Sequence, residues 1–501
     1  MNQIVAENAR PGTADWRLDH PATAREIEGY AGATSVDRGG VIRLYVNTQA
    51  AAFALEVFRM GWYQGLGARR VFGPVDVPGT RQAMPEMDPA TGLVDCAWVN
   101  PFELSTRNPG DPADWPAGVD LARLSTADLT NRREDDRKDA HTAQSYILFV
   151  VRDDARRSEL MFQLSVTTYQ AYNAWGGKSL YRWGSSGRER AAKVSFNRPY
   201  AANPQNPAAA YGMGAGEFLT NLQPHPDTYP ASNAGWDYNM LRWLEREGYD
   251  LAYSTNLDTH STPALLRRCK AWLSIGHDEY WSRPMREHVE AARDAGVHLG
   301  FFSANSAYWQ VRFEASAATG DADRVMVCHK KAARDPLPAG SADKTLATDK
   351  WRSAAVDRPE EALIGVMYAG DPVDGDIVVT AAAHWVFAGT GLEPGAVLPG
   401  LLGYEVDSVQ GRGPAGIEIL AASPWTALND ASLRGVAHMC LSTARSGAHV
   451  FATGSIQWAW GLDDYNVPAL RASRLNAAAQ QITRNVLARF VSLPGQVGDA
   501  A

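Results

Sequence analysis

The sequence predicts a multidomain β plus α/β protein, in which a β-sandwich precedes an α/β domain built on a parallel sheet. Three observations point there. The first part alternates apolar and polar positions in short runs separated by Gly, Asp and Asn, the pattern of antiparallel strands. From about residue 160, apolar strands alternate with amphipathic helices closed by Gly, the pattern of βαβ units. A chain of 501 residues is also longer than one hydrophobic core organises.

Taken in order, residues 26–30, 41–46 and 53–59 predict sandwich strands. The stretch GWYQGLG (61–67) is a turn-rich aromatic insert suited to a domain interface. Residues 80–140 are dense in Pro, Asp, Asn and Gly and predict loops. Residues 145–152 read as the closing strand. The charged run from Arg152 to Glu159 marks the boundary, giving domains 1–155 and 156–501. Beyond it, residues 160–166 predict a buried strand, 238–248 a helix ended by Gly, 249–253 and 271–275 strands, 284–295 a helix closed by Gly296, and 297–302 another strand. After Ile377 the chain turns strand-rich again (377–379, 384–387, 417–420, 449–456), and a helix is expected over 471–490.

Bulk properties narrow the function classes. A net charge of -8 without a basic block argues against nucleic acid as the partner, because backbone binding needs a concentrated positive face. Four cysteines without a CxxC pair make a disulfide framework or thiolate zinc site improbable. Residues 1–21 lack an apolar signal region, and no run approaches the ~18 apolar residues of a membrane span. A cytoplasmic protein without membrane contact is the expectation.

Four segments carry candidate chemistry. LSIGHDEYW (273–281) runs from an apolar strand into Gly, His and Glu. The carboxyl end of a parallel strand is where open α/β sheets bind ligands, so His277 and Glu279 form a candidate proton-handling or metal-binding pair. TTYQAYNAWGGKSLY (167–181) crowds tyrosines before a Gly-Gly turn, and VSFNRPY (194–200) brings Arg198 close to Tyr200. FFSANSAYW (301–309) enters a small-residue turn at Asn305. Each also has a plain structural explanation: tyrosine hydroxyls capping a loop, an ordered surface Arg, a helix-start cap, a strand-to-helix turn. In class I glutamine amidotransferase-like folds the fourth position holds a nucleophile elbow. Asn305 stands there with no Cys nearby, so something other than a thiolate must activate water, and a metal is the obvious means.

Together TYQAYNAWGGKSLY, FNRPY, LEREGYDLAY, IGHDEYWS, FFSANSAYWQ, LLGYEVD and TGSIQWAWGLDD resemble the family of the N,N-dimethylformamidase large (beta) subunit. The resemblance spans nearly the whole chain, including RMGWYQG in the leading sandwich. It implies an iron-dependent amidohydrolase, with a mononuclear ferric ion, Fe(III), held by two tyrosinates and one glutamate. The implied fold is an immunoglobulin-like sandwich followed by a class I glutamine amidotransferase-like α/β domain. Carried onto this sequence, Glu279 is the glutamate ligand with His277 beside it, and Tyr200 is one tyrosinate. The other comes from TYQAY, where Tyr169 and Tyr172 are both open. On an extended backbone they face opposite sides; Tyr172 is preferred, leaving Tyr169 for the substrate. Asn305 falls on a polar pocket residue suited to an oxyanion, Glu405 is a further pocket residue, and Lys330 or Lys331 is a pocket lysine. Hard oxygen ligands suit a hard ion, and a phenol with reference pKa near ~10 needs such an ion to ionise at neutral pH. The family also implies a small partner subunit, with a homo-oligomer as the other possibility, and a small amide as substrate. The competing function is a non-catalytic ligand-binding protein using the Tyr-rich cleft.

Overall fold

The computed structural model describes residues 2–107, 115–126, 143–201, 207–223, 234–338 and 340–492. It is a mixed, β-rich protein with several sheets and few helices. Residues before Arg152 build two sheets. Ile27–Ala31, Val41–Thr48 and Phe102–Ser105 form a three-stranded antiparallel sheet. Along Val41–Thr48 burial alternates, with Ile42, Leu44 and Val46 facing the core, as period-2 geometry requires when one face meets solvent. The second sheet has the order Ser35–Asp37, Gln144–Arg152, Gly118–Ser125, Ala52–Met60, Ala68–Pro78. Its central strands are buried almost throughout. The strand Ile27–Ala31 packs on one side of Gln144–Arg152, and Leu251–Thr255 of the next sheet on another. Two covered faces explain why Tyr146 to Val151 reads as a continuous apolar run.

The expected loop over 80–140 is corrected here: Phe102–Ser105 and Gly118–Ser125 lie within it, while 108–114 and 127–142 fall outside the described residues. Buried Asp120 and Arg123 interrupt the apolar pattern of the second strand. Arg123 is paired with Glu56 on the neighbouring strand, so a charge pair occupies the place of an apolar signal.

The seven-stranded sheet has the order Leu251–Thr255, Ser158–Leu164, Cys269–His277, His298–Ala304, His449–Ala452, Arg434–Thr443, Glu418–Thr426. The first five strands are parallel and the last two continue it antiparallel. The helix Arg283–Asp294 starts where Ser282 accepts a hydrogen bond from the Met285 amide, with Pro284 in the first turn. The segment 384–387, expected as a strand, is instead the 3₁₀ turn Trp385–Phe387, capped by His384 accepting from the Val386 amide. The strand expected over 449–456 stops at Ala452 and gives way to the 3₁₀ helix Ile456–Gly461. The last helix is Ala477–Ser492, beginning later than the sequence suggested.

One buried network joins the two parts. Arg59, on Ala52–Met60, pairs with Glu245, on the helix Asp237–Arg246, at 2.7 Å with neither side chain exposed. Tyr253 and Asn8 both donate to the same carboxylate. The aromatic stretch 61–67 packs on this helix: Arg242 lies 4.9 Å over the Trp62 ring, and the Tyr238 hydroxyl donates to the Gly67 carbonyl. The four cysteines are buried and unpaired as disulfides. No helix of the described residues is long and apolar enough to cross a membrane.

Candidate active site

The strand Cys269–His277 kinks at Gly276, whose φ is +57° and where an added Cβ would lie 2.8 Å from Trp236, leaving no room for a side chain. This kink distributes His277, Asp278 and Glu279 to different tasks. Asp278 turns under the sheet and accepts from Asn256, Gln163 and Ser274, anchoring the turn. Burial pushes its carboxyl up to about 6. The Glu279 amide donates to Thr168 and its carbonyl accepts from Tyr308 and Trp309, so its side chain leaves a fixed backbone.

Two phenols meet that side chain. The Tyr172 hydroxyl lies 2.8 Å from Glu279 Oε2, and the Tyr181 hydroxyl 2.9 and 3.0 Å from its two oxygens. The two hydroxyls are 2.8 Å apart and their rings stack at 4.3 Å. Tyr172 closes the short helix Val166–Tyr172, which corrects the extended backbone assumed for TYQAY. Gly176 and Gly177, both at positive φ, then reverse the chain and return Tyr181 to Tyr172. Arg198 holds that loop, donating to the carbonyls of Trp175, Lys178 and Asn173 and to the Gln170 side chain. Tyr280 donates to the Tyr181 hydroxyl at 2.6 Å. Lys330 Nζ donates to Tyr280 at 2.8 Å and sits 3.6 Å over the Tyr181 ring.

On the other side of Glu279 stands His277. The Gln223 carboxamide donates to its Nδ1 at 2.8 Å, which places the ring proton on Nε2. That atom is 3.5 Å from Glu279 Oε2 and 3.4 Å from Glu405 Oε2. Burial lowers the imidazole pKa to about 3 and keeps the ring neutral. Asn305 has a φ of +50° at the end of His298–Ala304, and its amide donates to Asp407. The chain then continues into the strand Trp309–Glu314 rather than a helix, which corrects the strand-to-helix expectation. Asn305 Nδ2 donates to Glu405 at 2.5 Å, and its Oδ1 is buried without a partner.

The expected residues therefore divide. Tyr172, Glu279, His277, Asn305, Glu405 and Lys330 come together, whereas Lys331 is exposed. Tyr200 stands apart from Glu279: its ring packs 6.4 Å from Tyr169, beside a separate cavity of about 140 Å³. Tyr169 faces the same way, its phenol pushed up by burial and by Asp237. Tyr181, Tyr280 and Gln223 are the residues sequence reasoning missed. The first two lie inside the quoted segments, but nothing local shows that a Gly-Gly reversal joins Tyr181 to Tyr172.

The electrostatics are unbalanced. Burial, followed by Glu279, pushes the phenols of Tyr172, Tyr181 and Tyr280 well above the ordinary tyrosine range. Glu405 is likewise raised well above the carboxylate range by burial, Asp371 and Glu279. Among the described residues, no group of three or more His, Cys, Asp or Glu side chains has metal-holding spacing, so a metal centre here would draw on phenolates. Three converging oxygens spaced 2.8–3.0 Å match the edges of an octahedron whose metal–oxygen distances are ~2.0–2.1 Å. The donor set thus fits a small hard cation.

This cluster forms the floor of a cavity of about 320 Å³. A wider groove of about 1120 Å³ on the sandwich, near Arg25 and Gln82, has no such convergence of phenols and carboxylates. No curated protein matches the chain. The family profile described as N,N-dimethylformamidase beta subunit-like, C-terminal, matches residues 54–471. Covering most of the chain and all of the cluster just described, that match shows that this protein belongs to the N,N-dimethylformamidase beta subunit-like family.

Proposed function

We propose that this protein hydrolyses the carbon–nitrogen bond of a small, non-peptide amide, with one ferric ion held by Tyr172, Tyr181 and Glu279. The observation that carries the reading is the mutual approach of those three oxygens in a buried site rich in acid. Tyr181 takes the place that the resemblance gave to Tyr200. When bound, such an ion supplies Lewis acidity toward an amide carbonyl and lowers the pKa of water.

The chain's own groups handle orientation and protons. Glu405, kept protonated by burial, Asp371 and Glu279, gives its proton to the departing nitrogen and takes up the proton of the attacking water, so it returns to its starting state. Neutral His277 donates from Nε2 toward Glu405 at 3.4 Å and orients that exchange. With Nδ2 committed to Glu405, Asn305 offers Oδ1 as an acceptor, suited to an amide N–H rather than to an oxyanion. Lys330 offsets the negative charge of Glu279 and, through Tyr280, orients the Tyr181 hydroxyl.

We assign residues 1–155 to an immunoglobulin-like sandwich and 156–501 to a glutamine amidotransferase-like domain, on the strength of the two largely antiparallel sheets and the five parallel strands. A partner subunit is supported by the family's own description as a beta subunit, and a cytoplasmic location by four free thiols. A purely ligand-binding role is not favoured by the family match.

Metal analysis and a visible spectrum of protein purified without chelator test the reading. Near-stoichiometric iron with a tyrosinate-to-iron charge-transfer band, absent in Glu279→Gln, is expected. Colourless protein that takes up no iron would end it.

A further inference from the structure

The cavity is larger than a minimal amide needs. At ~30 Å³ per non-hydrogen atom, the scale of one water in the liquid, about 320 Å³ holds roughly ten such atoms. Beyond the Glu279 floor the walls are aromatic. On one side Trp183 stacks 5.5 Å from Tyr181 at 25°. On the other, Tyr308 and Tyr368 cross at 5.3 Å and 66°. Asp371 is exposed at the mouth and accepts from the Tyr368 hydroxyl. Among the described residues the lining carries three carboxylates (Glu279, Glu405, Asp371) and no Lys, Arg or His.

These rings already attract cations wherever they meet them. Lys330 lies over Tyr181, and Lys350 and Arg352 lie 5.0 and 5.3 Å from the Tyr308 centroid, all three off the cavity lining. Faces that remain open to the cavity offer the same quadrupole to a ligand. The buried, unpartnered Asn305 Oδ1 on the inner wall marks the space as built for a ligand with a hydrogen-bond donor.

Resting on the amide-hydrolase reading, we infer that the substrate is a secondary amide bearing a cationic arm, its ammonium group held between Trp183, Tyr308, Tyr368 and Asp371 while its N–H faces Asn305. The inner end of the site acts on the amide and the outer end selects the charge.

Two isosteric formamides test this in the metal-loaded protein. N-[2-(dimethylamino)ethyl]formamide is cationic at neutral pH, and N-(3-methylbutyl)formamide replaces its ammonium by a carbon. The kcat/KM ratio should favour the cation by about tenfold, the scale of a desolvated cation–π contact, and should fall toward one in Asp371→Asn and in Trp183→Ala. A ratio near one in the wild type, or one unmoved by both substitutions, overturns the inference. Calorimetry with choline and its carbon isostere 3,3-dimethylbutan-1-ol separates this result from the fate of the hydrolase reading. If neither formamide is cleaved, choline binding that exceeds isostere binding and weakens in Asp371→Asn still supports the cationic pocket. Absent or equal binding of the two overturns it.

Discussion

Two buried polar networks in this molecule differ in one respect that separates structure from chemistry. At the junction of the two parts, Arg59 meets Glu245, and the surrounding Tyr63, Tyr253 and Asn8 complete the hydrogen bonds of both ions. Its central charges are matched. Around Glu279 the carboxylates of Glu405, Asp371 and Asp407 gather with three phenols, and Lys330 beside Glu279 and Arg352 beside Asp407 offset only part of that charge. Asn305 Oδ1 has no partner. A closed network fixes geometry and binds nothing further. An open one carries a standing affinity for positive charge and for hydrogen-bond donors, because unmatched buried acid is costly until something compensates it.

The contrast breaks most visibly at the metal cluster. Glu279→Gln and Tyr181→Phe should lose iron and reduce amide turnover to below about one thousandth, the several kcal/mol that metal assistance supplies, while Tyr200→Phe keeps both. Iron content and absorbance of the three variants decide it; iron lost only from Tyr200→Phe would restore Tyr200 as the ligand. The closed network should respond in stability instead. Glu245→Gln leaves Arg59 buried without its carboxylate and should cost about 3–5 kcal/mol in urea unfolding, with iron per folded chain unchanged.

Finer substitutions probe single contacts within each network. Lys330→Met should lower activity about 10–100-fold with iron retained and its absorption band shifted. An unshifted band would remove Lys330 from the support of Tyr181. At the rim of the closed network, Asp120 is buried with neither oxygen hydrogen-bonded, and burial pushes its carboxyl up to about 8. Because its unfolded pKa is near ~3.9, the folded state binds more protons across that window. Stability should therefore fall as pH rises from about 4 to about 8. Asp120→Asn should flatten this slope and raise stability at pH 8 by about 1 kcal/mol, the scale of one unmet polar group, as thermal unfolding at pH 5 and 8 would register. Parallel pH profiles for the two proteins would contradict it.

What could be read before folding was local. The alternation at 41–48 and the Ser282 cap with Pro284 in the first turn of Arg283–Asp294 each depend on neighbours in the chain, so these elements follow from local sequence. The Gly-His-Asp-Glu run at a strand end likewise pointed to a polar cluster, because a glycine kink after an apolar strand leaves polar side chains at the sheet's edge. Gly118–Ser125 could not be read locally because Asp120 and Arg123 break its apolar pattern, and the Arg123 charge is matched by Glu56, far along the chain.

Which tyrosines approach Glu279 depends on tertiary structure. Tyr169, Tyr172, Tyr181, Tyr200 and Tyr280 are chemically alike, and spacing alone gives each a claim on Glu279. A helical turn sends Tyr169 and Tyr172 to different neighbours, a Gly-Gly reversal clamped by Arg198 returns Tyr181, and Tyr200 packs elsewhere. Sequence sets what a side chain can do. Which oxygens stand within 3 Å of one another is set by long-range packing, since the contacts that hold them join segments nine to more than a hundred residues apart.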